Sequence, residues 1–356
     1  MKSPSIARYS INKPFIKKGK FDLSSQPALA PRASNSKRVV FIDGILRTGK
    51  LMQMPIVSSL ERCEMAQNYP LMEDVPILHR VGLLSSETAI ALLQREVDIN
   101  INNMLIGRRV NFRYDDVSGI WNARDPREYF QRIFAADEYA QIERVEEIDP
   151  IFPIMTHDCL CNAQIIFRAL PEARLIWIRR NPIDVAFSWH RKRWGERIGN
   201  DSNSTFLAFA GPNGPVPWHA LGWETRYEEL SPADRIIYSI AALNRMADEA
   251  MAALDDRTKS QVFVVTFESV TSAPEAYVEG MCSFLATRRG PRTAEMLSRA
   301  RVPRVLHKTD LEHRLDEIKA VASPEAFEHL LSQAAAYDQT SLENWNIDTA
   351  ALRCQG

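Results

Sequence analysis

The sequence predicts an α/β fold of three layers, a central parallel sheet covered by helices on both faces. Three observations predict it. First, short apolar runs recur at Arg38-Val-Val-Phe-Ile-Asp43, Ile151 to Met155, Arg174-Leu-Ile-Trp-Ile-Arg179 and Gln261-Val-Phe-Val-Val-Thr-Phe267. Runs without a central charge suit strands buried on both faces. Second, the segments between them carry apolar residues at helical spacing, and alternation of the two periods points to crossover units. Third, the run at 174–179 ends in Arg179 and Arg180 and turns straight into a helix. Asn181 is a good N-cap there, and Pro182 is preset for the first helical position. Ligands of open α/β sheets bind beyond the carboxyl ends of the strands. Two guanidinium groups at such an end, beside a helix N-terminus, make an anion site.

Taken in order, residues 1–36 are rich in Ser, Pro, Lys and Ala without sustained period, and read as a flexible arm. The α/β domain is expected over 37–310. After the first strand comes Gly44-Ile-Leu-Arg-Thr-Gly49-Lys50, then a helix from Leu51 to about Met65 in which Pro55 belongs in the first turn or makes a kink. A helical insertion is expected over about 70–148, with helices from Ser86 to about Asn102 and Pro126 to about Phe134. The second strand, Ile151 to Met155, leads to Thr156-His157-Asp158, where Asp158 is expected to cap a helix from Cys159 to about Leu170. The helix after Asn181 runs to about Arg197. Residues 198–230, with Gly211-Pro-Asn-Gly-Pro-Val-Pro217, have the composition of a long loop. Helices follow at Pro232 to about Leu254, Pro274 to Leu285 and Arg292 to Ala300, and 311–356 is a charged helical tail.

The chain has 356 residues, 45% hydrophobic and 25% charged, ordinary for a soluble globular protein. Its 44 basic and 45 acidic side chains leave a net charge of −1, so no global field draws it to nucleic acid. Any anion binding is local. Five scattered cysteines read as free thiols, and Cys159-x-Cys161 is too tight for a zinc pair. The N-terminus lacks the apolar core of a secretory signal, and no run approaches the ~20 apolar residues of a membrane span. The expectation is a cytoplasmic protein without a transmembrane segment, with an oligomer possible.

Gly44-x-x-x-x-Gly49-Lys50 follows a strand and precedes a helix, the setting of a nucleotide P-loop. Its glycines let backbone N–H groups curl around a phosphate, and Arg47 and Lys50 add charge. At the last position, where a hydroxyl would hold Mg²⁺, stands Leu51, which argues against Mg-ATP hydrolysis. A carboxylate at a strand end is the other mark of a metal-dependent NTPase. Glu268 keeps that reading open, although pairing with a neighbour or capping the following turn is the favoured reading of it.

These motifs, in this order, resemble the sulfotransferases that use 3′-phosphoadenosine 5′-phosphosulfate (PAPS). The family's phosphosulfate loop is similar to Arg47-Thr48-Gly49. Its 3′-phosphate motif resembles Arg180-Asn181-Pro182-Ile183-Asp184 through Ser188, the most specific part of the match. Thr156-His157 stands where cytosolic members carry a Thr-His pair, and Val264-Val-Thr-Phe-Glu268 with Pro274 resembles the strand before the family's final helices. The match covers roughly residues 38–290. It implies PAPS as donor and no metal. It implies that Gly44, Ile45, Leu46, Arg47, Thr48, Gly49, Lys50 and Leu51 cradle the 5′-phosphosulfate, and that Arg180 and Ser188 hold the 3′-phosphate. Arg47 takes the place of a family lysine that stabilises the departing oxygen; arginine keeps the charge but lends no proton. Lys50 shares that task. His157 is implied as general base toward an acceptor hydroxyl. Arg301 to Lys308, with Arg304, is the counterpart of the family's last basic loop. Position 155 is Met where several members have Lys, so that role is not transferred.

The acceptor is expected to be a carbohydrate or glycoconjugate hydroxyl. This rests on the polar segment over 104–128 and on Trp218, Trp223 and Tyr227, which could stack on sugars or pin their loop to the body. Two other readings stand beside it: a P-loop kinase or NTPase, and a catalytically inactive nucleotide-binding scaffold.

Overall fold

The computed structural model describes residues 38–135 and 147–343, together with residues 29, 137, 142 and 143; the arm expected over 1–36 otherwise lies outside the described residues. Five strands form the central sheet: β1 (Val39–Asp43), β2 (Gln67–Asn68), β3 (Phe152–Met155), β4 (Arg174–Arg179) and β7 (Val262–Thr266). Their order is β2-β3-β1-β4-β7, every pair parallel. A parallel sheet needs cover on both faces, and the alternation of side chains supplies two cores. Val39, Phe41, Ile154, Leu175 and Trp177 face the helices Ser86–Leu105, Ala163–Ala169, Pro182–Arg191 and Pro232–Ala253. Val40, Ile42, Ile176, Ile178 and Val265 face Lys50–Ser58, Pro274–Leu285 and Thr293–Arg299. The three-layer α/β fold read from the sequence is the fold observed. With β3 on one side of β1 and β4 on the other, the chain changes direction at the carboxyl end of β1, the place where open α/β sheets bind ligands.

Several local expectations differ. The helix after the glycine loop stops at Ser58 instead of near Met65. Ser58 Oγ donates to the Met54 carbonyl at 2.8 Å and Ser59 Oγ to the Ile56 carbonyl at 2.6 Å, the back-bonding by which serines compete with helix. Ser58 Oγ also accepts from Ala66 N at 2.9 Å, which turns the chain toward the short edge strand β2. Asp158 does not cap the helix after it. It adopts φ 59°, the helix proper is Ala163–Ala169 behind a 3₁₀ turn, and Asp43 from β1 accepts the Cys159 and Leu160 N–H groups at 3.0 and 2.9 Å instead.

The expected loop over 198–230 is structured. It holds an antiparallel hairpin, β5 (Ala208–Ala210) with β6 (Pro215–Pro217), and a helix at Glu224–Glu229. Glu228 accepts from the backbone of Asn213 and Gly214 at 2.8 and 3.0 Å, so the Gly-Pro-rich run is a braced turn. The tail is two helices, Lys308–Lys319 and Pro324–Glu343, and Ile318 and Leu330 reach the core beside the helix Pro182–Arg191. Among the described residues no helix is long and apolar enough to cross a membrane.

Candidate active site

The glycine loop is held from three sides. A Cβ at Gly44, which has φ +145°, would lie 2.4 Å from the Ile178 carbonyl oxygen, so the loop can run this close to β4 only without a side chain. At Gly49, with φ +108°, a Cβ would lie 2.6 Å from the Phe267 ring. Trp189 donates its indole N–H to the Leu46 carbonyl at 2.8 Å and fastens the loop to the helix Pro182–Arg191. Arg47 sits at the tip with φ 73°, a conformation uncommon for a residue with a side chain. Ile45 and Leu46 are buried, and the Ile45 carbonyl accepts from Thr48 Oγ1 and Lys50 Nζ. Helix Lys50–Ser58 starts directly behind, and its N-cap, Gly49, has no side chain to cap the first turn. Its N–H groups and dipole favour an anion in the cradle.

Two polar side chains of the loop turn inward. Thr48 Oγ1 donates to the Ile45 carbonyl at 2.9 Å. Lys50, expected to offer its charge to the ligand, is buried and gives its ammonium to the carbonyls of Gly44 and Ile45. Burial lowers Lys50 to about 8 against the pull of Asp43, Asp158 and Glu73. Its ammonium therefore braces the loop from behind.

The outward charge comes from arginines. Arg47 Nε donates to Ser188 Oγ at 2.8 Å, joining residues far apart in sequence, and Arg180 Nη1 donates to the Arg47 carbonyl at 3.2 Å. The Arg180 guanidinium lies 4.1 Å from the Phe267 ring centroid and that of Arg304 lies 5.4 Å from the same ring. Burial and the neighbouring Arg180 charge hold both Arg47 and Arg304 below the usual arginine range. Among the described residues neither Arg47 nor Arg304 has a carboxylate partner. Asp184 pairs with Arg180 at 3.3 Å and also receives Arg314 Nη1 at 2.5 Å. Two of the four guanidinium groups thus share one aspartate, and the other two have none among the described residues. Clustered like charges in a partly buried place are relieved when an anion arrives.

Glu268 is not free to hold a cation. Its Oε1 accepts from Asn181 N at 3.1 Å and its Oε2 from the Tyr337 hydroxyl at 2.6 Å, and burial raises its carboxyl above the ordinary range. It orders the start of the helix that carries Ser188. Arg179 points to the other face and meets Asp248 at 3.6 Å.

His157 lies at the end of β3. Its backbone N–H and its Nδ1 both meet Glu73 Oε1 at 3.1 Å. Burial, then the charge of Lys50, pushes the imidazole well below its usual value, with Asp43 opposing. Burial raises Glu73 to about 8. Asp158 is raised well above the carboxylate range by burial and by Asp43, and among the described residues its buried Oδ1 has no hydrogen-bond partner. Lys50 is within electrostatic reach of both His157 and Arg47, so the histidine corner and the arginine corner flank the same loop.

Beside Arg304 opens a cavity of about 490 Å³ lined by Leu51, Met52, Tyr114, Asp116, Phe267 and Arg299. Of the aromatic residues of the hairpin region, Trp218 and Tyr227 are buried and pin it to the body. Trp223 remains half-buried and lines a separate cavity of about 800 Å³ with Arg179, Tyr238 and Tyr337.

Arg47, Arg180, Ser188 and Arg304, singled out from sequence, come together; Lys50 and Thr48 lie behind the loop. Sequence reasoning missed Phe267, Arg314 and Trp189, which organise the arginines and the loop. It also missed Asp43 and Glu73. Asp43 left a trace as a carboxylate closing an apolar strand. Nothing in the sequence linked Glu73 to His157, because it reaches across from the helix Leu71–Arg80.

No protein-family model and no curated protein matches the chain. Among solved structures it is similar to the sulfotransferase domain from the curacin biosynthetic pathway, with TM-score 0.44, 12% identity, and coverage of 84% of this chain and 97% of that one. It is also similar to the sulfotransferase domain of the Synechococcus PCC 7002 olefin synthase, with TM-score 0.44, 14% identity, and coverage of 88% and 98%. A sulfotransferase from Alicyclobacillus acidocaldarius follows, with TM-score 0.33, 15% identity, and coverage of 81% and 98%. Likeness at this level carries no assignment of activity, which has to come from the side chains.

Proposed function

We propose that the protein is a PAPS-dependent sulfotransferase that moves a sulfuryl group to an acceptor hydroxyl. The observation that carries the proposal is the meeting of Arg47, Ser188 and Arg180 at the tip of the glycine loop, with Arg304 across the Phe267 ring. The loop and the start of helix Lys50–Ser58 suit the 5′-phosphosulfate. Arg180, Ser188 and Arg304 suit the 3′-phosphate through charge-assisted hydrogen bonds. The cavity beside Arg304, with Met52 and Phe267 in its wall, then receives the base. In the reaction the acceptor oxygen bonds to sulfur in line as the bond from sulfur to the 5′-phosphate oxygen breaks. Arg47 and the loop amides hold the charge that develops on that oxygen, and His157 takes the acceptor's proton. Lys50, turned inward, contributes its field and the shape of the loop rather than a direct contact.

A carbohydrate or glycoconjugate hydroxyl is the acceptor class we favour, on the polar composition of 104–128. The kinase or NTPase reading is weakened because Leu51 offers no hydroxyl and Glu268 is taken up by Asn181 and Tyr337. Radiolabelled sulfate transfer from PAPS to a panel of sugars, phenols and aliphatic alcohols tests the proposal. Label on sugars supports it in full; label on phenols alone sinks the acceptor class. Stabilisation by ATP with Mg²⁺ but not by 3′,5′-ADP turns the assignment toward a kinase. Tight 3′,5′-ADP binding without transfer to any acceptor turns it toward an inactive scaffold.

A further inference from the structure

We infer that Glu73 is the positioning residue for His157: its Oε1 accepts the imidazole Nδ1–H and so leaves Nε2 as the lone pair that receives the acceptor's proton. The inference rests on the sulfuryl-transfer reading and adds a residue to it. The tautomer follows from the partners of that one oxygen. Glu73 Oε1 lies 3.1 Å from the backbone N–H of His157, a group that can only donate. It lies 3.2 Å from Asn68 Nδ2, and the same amide nitrogen donates to the Met155 carbonyl at 3.0 Å, which fixes the orientation of the Asn68 side chain. Oε1 is therefore an acceptor, and Nδ1 at 3.1 Å carries the hydrogen. Any proton on the carboxyl resides on Oε2. Among the described residues nothing hydrogen-bonds Nε2. Main chain and ring of His157 bind the same oxygen, so Glu73 sets the rotation of the ring as well as its tautomer, as the orienting partner of a catalytic imidazole does.

The surroundings agree with a base that is neutral at rest. Burial, and after it Lys50 from the helix Lys50–Ser58, disfavours the imidazolium before reaction. Asp43 from β1 opposes that push, while Glu73 and Asp158 bear on the same ammonium, with Asp74 beside Glu73 on its own helix. When the acceptor's proton reaches Nε2, Nδ1–H stays on Glu73 and the new positive charge lies against that carboxyl.

Ring-nitrogen NMR of isotopically labelled histidine, with His157 assigned by its loss in His157→Gln, reads the tautomer without any turnover. The expected result is the Nδ1–H form in the wild type and in Glu73→Gln, which keeps an acceptor oxygen, and a shift toward Nε2–H in Glu73→Ala. In transfer assays Glu73→Ala should lower kcat on the order of 100-fold with the KM for PAPS within about twofold, and Glu73→Gln should recover most of the loss. An Nε2–H form in the wild type, or a Glu73→Ala enzyme that transfers at the wild-type rate, overturns the inference. A wild type that transfers to no acceptor defeats the functional reading instead, and the tautomer then decides the role of Glu73 alone.

Discussion

Two regions of this protein bury charge, and they do so in opposite ways. Where the helix Pro126–Ile133 meets the chain beyond Ser59, Arg132 and Glu64 form a bidentate pair with both bonds at 2.7 Å and side chains 3% and 5% exposed. The Tyr129 hydroxyl donates to Glu64 at 2.7 Å and accepts from Met65 N at 2.8 Å. Burial alone would raise Glu64, but Arg132 outweighs it and holds the carboxyl below its ordinary range. The pair is complete. At the glycine loop, Arg180 and Arg314 share Asp184, Arg47 and Arg304 have no carboxylate partner among the described residues, and the nearby Glu268 is engaged elsewhere. The histidine corner behaves likewise: burial raises Glu73, whereas Glu64 with its arginine is lowered. Matched charge acts as a joint of the fold, whereas the excess of charge at the sheet's carboxyl end is what the proposed nucleotide site would use.

The largest effect that would break this comparison lies in the matched region. Glu64→Ala takes the bidentate partner from the buried Arg132 guanidinium and leaves it the longer contacts to Glu128 at 3.9 Å and the Met104 carbonyl at 3.5 Å, which should cost about 3–5 kcal/mol of stability by denaturant titration. A loss under about 1 kcal/mol would mean that the pair is not a joint. Arg180→Ala should do the reverse. It should lower affinity for 3′,5′-ADP by about 2–3 kcal/mol, near 100-fold, with the unfolding midpoint little changed. Ser188→Ala removes one neutral partner from the same place and should cost about 1 kcal/mol of nucleotide affinity, measured by the same titration.

The gentlest effect is a slope with pH. The folded protein keeps the Glu73 proton up to about 8, while the unfolded chain loses it near the ordinary carboxylate value. Stability from this group is therefore complete at low pH and falls as pH rises through about 8. Lys50, lowered to about 8, acts in the other direction above that point. Thermal unfolding of Glu73→Gln beside the wild type isolates the first slope. The two curves should converge on acidification and separate toward pH 8, with the wild type losing ground.

Much of this was legible before the structure, and the reasons are local. The strand at 174–179, its two arginines, and the Asn181-Pro182 helix start are encoded within a dozen or so neighbouring residues, and the Asn181 side chain does accept from Ile183 N at 2.9 Å. The glycine loop was legible because its two glycines are demanded by the backbone of β4 and the ring of Phe267. What sequence could not supply was direction and reach. Lys50 looked like an outward charge, but helix geometry turned it into the loop. Asp158 looked like a cap, but the carboxylate of Asp43 arrived from the next strand and took the N–H groups. The Gly-Pro composition of 211–217 read as a loop because Glu228, which braces it, lies on a helix further along. Glu73 and Arg314 come from outside every motif and meet the site only once the sheet is assembled.

The central claim is that the arginines gathered beyond the end of β4, more than Asp184 can match, are there for the second phosphate of one nucleotide. Calorimetric titration of wild type and Arg180→Ala with 3′,5′-ADP and with 5′-AMP tests it most directly. The account predicts that wild type prefers 3′,5′-ADP by on the order of 100-fold and that Arg180→Ala loses most of that preference while 5′-AMP binds both proteins alike. Equal affinity of the wild type for the two nucleotides would contradict it.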